Sequence, residues 1–513
     1  MVKTRSRVAL VTTLSLLVLT MAPVSAGAKE GPSGYLTDSE PLVVLDPAVP
    51  EGGNVIAIID SGDQLDGFTF EGIPDGIGLA PGSAKHTVDV YVNHEQSTVP
   101  FGGEADHQDS SVSLLTLSTK TNNLGAVLSA DEAIGPEEGY IRFCSAFMAT
   151  PADGFDSYVF FTGEESNDII PVPPGADYGA DPFFAPEDLR EAGYTVALDT
   201  ATGESSPIPG LGRLNHENTV VVGSGWGGVA LMTTDDTFTA ATSQLYLYAA
   251  DDGDAVLADE GTLYAFQVTA DENGPVDPDD PFNDANDYLD LLPGQTFAGR
   301  FIEVPEDVAQ GLTDERPQDA LENWSNDNNV FQFVRLEDIA TEKGDPHVVY
   351  IADTGATRVQ PNPVTGRMHR PAGVGGADNG RIFKFVLDPD DPLTVTEFSV
   401  MAQGDDAGQP LFVPFRAPDN IDTSTKSLMV QEDASNARIW QHHFDQASWR
   451  VVAHVTDTGG ESSGIVDGTD FFGPGWWVID VQAHSTDQMS EIVAGINIKR
   501  EDGQLLLMKI PGS

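Results

Sequence analysis

Short stretches in which apolar and polar residues alternate recur along the chain, at 55–59, 88–92, 158–161, 220–222, 245–248, 348–351, 428–430 and 505–509. Gly, Asp, Asn and Pro flank them, and a period of two between turn-forming residues predicts short antiparallel strands. Helical periodicity is scarce: 186–192 predicts one short helix and 309–312 a single helical turn. Neither supplies a βαβ crossover, which argues against a doubly wound sheet. One aromatic strand motif returns, as Gln244-Leu245-Tyr246-Leu247-Tyr248, Thr262-Leu263-Tyr264-Ala265-Phe266 and Arg381-Ile382-Phe383-Lys384-Phe385, with a looser copy in Arg438-Ile439-Trp440-Gln441-His442. Strand units of this size, separated by loops of variable length, predict an all-β chain folded as a single β-propeller with acidic loop insertions. An array of β-sandwiches is the alternative, and it explains the repeated aromatic strand less economically.

Composition adds a second layer. The 513 residues carry 81 acidic side chains against 25 Lys plus Arg, a formal charge of −56. Such a surface repels phosphate backbones and excludes nucleic acid as a natural partner. Hard cations are the partners that carboxylates in this number favour, and a halophilic or solubility-driven surface is the plainer explanation of the excess. The acidic stretches 251–260 and 271–290 are expected at the surface, as solvated loops rather than ion sites, since they lack EF-hand spacing. Lys3, Arg5 and Arg7 precede an apolar run at 8–21, and small residues follow in Val24-Ser25-Ala26. This pattern predicts a secretory signal peptide over 1–26, a propeller domain over 27–513, export without a twin-arginine pair, and no stable membrane insertion. An uncleaved N-terminal anchor is the alternative. Cys144 is the single cysteine, so no internal disulfide framework exists, and a lone thiol ordinarily serves as a small buried hydrophobe.

Short acidic motifs stand where strands begin or end: Asn93-His94-Glu95, Gly163-Glu164-Glu165, Asn215-His216-Glu217, Arg335-Leu336-Glu337-Asp338, Pro418-Asp419-Asn420 and Gln431-Glu432-Asp433. In a propeller such positions point toward the central channel. Carboxylates gathered there repel one another, and they coexist only where protons or cations offset the charge. A shared cation site is the expectation.

The same residues carry a likeness. Arg142-Phe143-Cys144-Ser145, Thr150-Pro151 and Gly163-Glu164-Glu165 resemble motifs of the PhoX-type bacterial alkaline phosphatases. Gly212-Arg213-Leu214-Asn215-His216-Glu217, Arg335-Leu336-Glu337-Asp338, Gly380-Arg381-Ile382-Phe383-Lys384-Phe385, Pro418-Asp419-Asn420 and Gln431-Glu432-Asp433 follow in the family's order, across about 88–433. The resemblance implies a secreted propeller of six blades that hydrolyses phosphate monoesters with calcium and iron. It implies metal ligation by Cys144, Glu165, Glu217, Glu337 and Asp419, and phosphate binding by Arg335. Glu164, Glu95, Glu432 and Asp433 are further metal candidates. The stretch 152–157 departs from the family's polar and aromatic residues, and the asparagine that helps hold substrate has no counterpart there. Residues 70–76 are also similar to phytase-like propellers.

Three other features belong to rival readings. Gly460-Glu461-Ser462-Ser463-Gly464 fits the nucleophile-elbow pattern of serine hydrolases, but 465–469 does not continue as the helix that such an elbow needs. His94-Glu95 and His216-Glu217 each lack the second histidine of a zinc-protease motif. Trp476 and Trp477 predict a blade core rather than an exposed aromatic face, and Asp480 reads as a surface aspartate, with a ligand role as the alternative. A noncatalytic propeller stabilised by calcium, acting as scaffold or binding protein, is the competing function.

Overall fold

The computed structural model describes residues 37, 39–96, 109–175, 178, 183, 189–237, 243–355, 358–370, 379–405, 407–483, 489–493, 496–500 and 502–513. The signal-peptide expectation over 1–26 lies outside the described residues.

The alternating stretches fold as antiparallel meanders. One runs through Pro74–Pro81, Thr87–His94, Ser111–Ser118 and Val127–Ile134, and the next through Phe143–Ala149, Val159–Glu164, Thr195–Asp199 and Glu204–Pro207. A third comprises His216–Val221, Val229–Asp235, Leu245–Ala250 and Thr262–Asp271, and a fourth Leu336–Glu342, Asp345–Asp353, Arg381–Asp388 and Asp391–Gln403. Thr296–Glu303 pairs with the outer strands of both and joins them edge to edge. A fifth runs through Pro418–Thr423, Ser427–Glu432, Arg438–His443 and Trp449–Val455, with Val43–Leu45 added at its rim. The last contains Glu461–Asp467, Trp476–Ala483 and Asp502–Lys509, and Asn54–Asp60 completes it as the outer strand.

The first strand of each meander packs against the first strand of the next, and the final contact, between Glu461–Asp467 and Pro74–Pro81, closes the circle. The meanders are therefore the blades of a propeller, and their first strands line its axis. Apolar residues on the blade faces fill the space between sheets. Phe266, from the repeated aromatic motif, meets Phe301, Phe331, Phe385 and Phe398 at ring separations between 5.1 and 6.1 Å. Each fully buried ring of this kind contributes about 1.5–3 kcal/mol through lost apolar exposure. Trp476 and Trp477 are buried in two such layers, as their pairing beside a strand predicts.

The helical expectations need correction. Within 186–192, Leu189–Glu191 is a strand paired with Ile169–Pro171. Around 309–312 the helix is Glu306–Ala309, earlier than expected. A longer helix, Pro317–Asp327, was not foreseen, because only Ala320 and Leu321 among its apolar residues are fully buried and its sequence is mostly polar. The acidic insertions are only partly superficial. Gly253–Leu257 is a short helix capped by the Asp252 side chain, and Ala285 and Tyr288 reach the core, where Tyr288 lies under the Arg381 guanidinium at 3.6 Å. Among the described residues, no helix is long and apolar enough to cross a membrane.

Candidate functional site

A shared irregularity in the inner strands builds the site. Pro74 faces His94 while Ile77 faces Val92, so three steps on the inner strand match two on its neighbour. The same extra residue recurs between Phe143 and Ala146, His216 and Thr219, Leu336 and Ile339, Pro418 and Ile421, and Ser462 and Ile465. A bulge of this kind bends the strand and re-aims side chains. Here it places Asp75, Cys144, Glu217, Glu337, Asp419 and Ser463 at equivalent points around the axis.

A second contact brings further carboxylates to the same level. The residue that follows the second strand donates its backbone N–H to the carbonyl just ahead of the inner strand. The pairs are Glu95 to Ile73 at 3.0 Å, Glu165 to Arg142 at 2.9 Å, Asp236 to Asn215 at 3.0 Å, Thr354 to Arg335 at 2.9 Å and Asp433 to Ala417 at 2.9 Å. Ile73, Arg142 and Ala417 hold left-handed φ values of 51°, 51° and 43° to present those carbonyls. Non-glycine residues are strained there, a feature that clusters at functional sites.

The result is a cavity of about 210 Å³ lined by Asp75, Glu95, Glu165, Glu217, Glu337, Asp419, Asp433 and Glu461, with Cys144, Arg142 and Arg335. Of the residues expected from sequence, Cys144, Glu165, Glu217, Glu337, Asp419, Arg335, Glu95 and Asp433 meet in this one place. Glu164 and Glu432 do not. They are the last residues of their strands and face the opposite way from Glu165 and Asp433. Glu164 is held by Arg190 through two contacts of 2.7 and 2.6 Å, and Glu432 by Arg438 at 2.7 Å and the Trp440 indole at 2.9 Å. The departure at 152–157 also lies away from the cavity. It begins in the turn Pro151–Asp153, at the other end of Phe143–Ala149, where Asp153 helps line a second cavity of about 340 Å³ farther along the axis.

Sequence reasoning missed Asp75, Arg142, Glu461 and Asp236. Asp236 follows its strand directly, as Glu95, Glu165 and Asp433 follow theirs, and that shared position was the available signal. Asp480, expected at the surface, is fully buried, and neither carboxylate oxygen has a hydrogen-bond partner. Burial pushes its pKa up, with Asp75 and Glu461 adding to the rise. Ser462 and Ser463 lie inside the strand Glu461–Asp467 and not on the strand-to-helix turn that a nucleophile elbow needs, and Ser463 Oγ donates to Asp75 Oδ2 at 2.7 Å. His216 is buried against Gly212 and Thr233, and desolvation lowers its pKa to about 4, so it is neutral.

The two guanidiniums brace the acidic wall. Arg142 Nη2 lies 2.8 Å from Glu95 Oε1 and 3.5 Å from Glu165 Oε2. Arg335 Nε donates to Asp236 Oδ1 at 2.7 Å, its Nη2 pairs with Asp236 Oδ2, and it lies 3.5 Å from Glu337 Oε1. Two cations do not offset eight carboxylates. Burial pushes the carboxyls of Glu165, Glu217, Glu337 and Asp419 well up; Arg142 and Arg335 counter the rise at Glu165 and Glu337. Asp75 is raised to about 7 by burial and then by Glu95, and the Cys144 thiol is raised by burial and then by Asp75. Bound cations reverse this logic, because they favour the charged forms.

The donor set fits metal ions. Ligand atoms of Asp75, Glu95 and Cys144, of Cys144, Glu165 and Glu217, and of Glu217, Glu337 and Asp419 lie within 4.8 Å of one another in each trio. Glu217 Oε2 is buried with no hydrogen-bond partner, an orphan that a cation would satisfy. Carboxylate oxygens suit hard ions such as calcium, and a thiolate beside them suits a transition metal.

Known proteins share the fold and the family of this chain. No curated protein matches the chain. Among solved structures, PhoX of Pseudomonas fluorescens, in complex with vanadate, a transition-state analogue, aligns with a TM-score of 0.63 at 15% identity, covering 90% of this chain and 96% of that one. A β-xylosidase/α-arabinofuranosidase from a compost microbial metagenome aligns at 0.33 with 10% identity, covering 87% and 94%. The β-propeller domain of the Trilobed protease from Pyrococcus furiosus aligns at 0.31 with 7% identity, covering 86% and 95%. The first of these supports the propeller fold alone. Residues 157–466 match the family model for alkaline phosphatase PhoX, a span holding Glu165, Glu217, Arg335, Glu337 and Asp419, and the chain belongs to the PhoX alkaline phosphatase family.

Proposed function

We propose that the protein is a secreted, six-bladed, metal-dependent phosphatase that hydrolyses small phosphate monoesters in the acidic cavity. Calcium would occupy the oxygen-rich trios, and iron the position beside Cys144. The observation that carries this reading is the convergence of three ligand trios and Arg335 on one cavity. Cations held there would supply Lewis-acid polarisation of phosphoryl oxygens and a lowered pKa for water.

The chain's own residues account for the rest. Cys144, Glu165, Glu217, Glu337 and Asp419 hold the positive charge, without which the acidic wall repels an anionic substrate. Arg335 offers planar donors matched to phosphoryl oxygens, and its pairing with Asp236 fixes the plane of the guanidinium. Asp75, Glu95 and Asp433 extend the acidic wall. The test is elemental analysis of purified protein together with turnover of a phosphoester panel. The expected result is bound metal, activity abolished by chelation, and a loss of about 100-fold or more in kcat for Glu217→Gln. A metal-replete preparation inactive across the panel overturns the assignment, and calcium without turnover leaves a stabilised scaffold.

A further inference from the structure

Each inner-strand bulge places a second residue one step deeper than the cavity wall. These residues are Gly76, Ser145, Asn218, Asp338, Asn420 and Gly464, and they close into a layer beneath the acidic groups. Gly76 packs so tightly that an added Cβ would lie 2.4 Å from the Ala146 nitrogen. Across this layer runs a chain of neutral side chains. Asn420 Nδ2 donates to Ser145 Oγ at 2.8 Å and to Asp75 Oδ1 at 3.4 Å, and Ser145 Oγ donates to Glu217 Oε1 at 2.5 Å. Asn420 and Ser145 are both buried, at 2% and 1% exposure. Asp75 belongs to one ligand trio, whereas Glu217 belongs to the other two.

We propose that Asn420 and Ser145 are positioning residues that form a strut fixing the distance between the Asp75 and Glu217 sides of the cation cluster. The strut rests on the reading of the cavity as a metal centre. Its chemistry suits that task. Neutral donors add no charge to a crowded acidic site, and by engaging Glu217 Oε1 the Ser145 hydroxyl leaves the partnerless Oε2 as the ligand atom. Outer partners of metal ligands typically change affinity or activity by about 10–100-fold when removed.

Asn420→Asp keeps the shape but replaces the amide donor with an acceptor facing Asp75 and Ser145, and Ser145→Ala removes the hydroxyl with no added bulk. Metal content of each purified variant, calcium titration of the chelated proteins, and phosphoester kcat and KM form the test. The expected result is calcium affinity lowered about 10-fold or more in both variants, with kcat reduced and KM nearly unchanged. Wild-type metal content, calcium affinity and kcat in folded Ser145→Ala overturn the strut, even if Asn420→Asp fails to fold. A merely structural role would lower the melting temperature of the chelated proteins without moving calcium affinity. The calcium titration does not depend on turnover, so an inactive wild type would sink the phosphatase reading and leave the strut to be decided separately.

Discussion

Chelation at two pH values is the sharpest probe of the acidic cavity. Three ligand trios are available, and an ion present at about 100 times its dissociation constant stabilises the folded state by about 2.7 kcal/mol. Three such ions would contribute about 8 kcal/mol, an upper figure because Cys144 and Glu217 are shared between trios. With 513 residues at about 2.1 cal/mol/K each, the unfolding entropy is about 1.1 kcal/mol/K, so full chelation at pH 8 lowers the melting temperature by up to about 7 °C. Acid should erase much of that difference. Without ions, burial raises the carboxyls of Glu165, Glu217, Glu337 and Asp419, and Asp75 reaches about 7. A carboxyl whose folded pKa lies above its unfolded value stabilises the protonated folded state. That stability is complete below about pH 4 and is lost as pH rises through the folded pKa. The chelated protein therefore melts higher at pH 5 than at pH 8, while the calcium-loaded protein loses ions to protons on acidification. Circular dichroism melts with and without chelator, followed by calcium re-addition, read both effects. Coincident melting at pH 8, or a chelation effect that grows toward acid, would refute the charge argument.

Three further outcomes follow from single residues. Arg190→Ala strands the fully buried Glu164 carboxylate and costs about 3–5 kcal/mol in a denaturant titration, yet leaves metal content unchanged because Glu164 faces away from the cavity. Asp287, 3% exposed and raised to about 7 by burial and Asp290, does not line the cavity. Asp287→Asn should be more stable than the wild type at pH 7 by about 2–4 kcal/mol, and the gain should vanish toward pH 4, as urea titrations across that range will show. Arg335→Lys keeps the charge but loses the forked donor and its fixed plane; steady-state kinetics should show KM for a phosphate monoester raised about 10-fold.

Much of the architecture was legible because the aromatic repeat is a packing device: Phe266 and Phe385 occupy matching strand positions and meet between sheets. The cavity was legible wherever a carboxylate directly followed or opened an apolar strand, as Glu165, Glu217 and Glu337 do. Adjacent pairs were not resolvable. Alternation along a strand assigns opposite faces to Glu164 and Glu165, but nothing in the residue types says which of the two faces the axis. Asp75 escaped notice because Gly76 and Gly78 interrupt the apolar run that it opens, so no strand was expected there. The helix Pro317–Asp327 was hidden by its polar composition, since it leans on the propeller through a few side chains and shows only a faint stripe.

The last blade is completed by hydrogen bonds from Asn54–Asp60, a segment made early, to Asp502–Lys509, made late. Until that latch engages, the strand carrying Glu461 has no permanent place beside the strand carrying Asp75, and mutual repulsion among the acidic tips is relieved by distance. Glu461 and Asp75 therefore share one cavity only in a ring whose early and late segments have paired. Ions bound across the closed ring would favour the closed form over the open one by mass action.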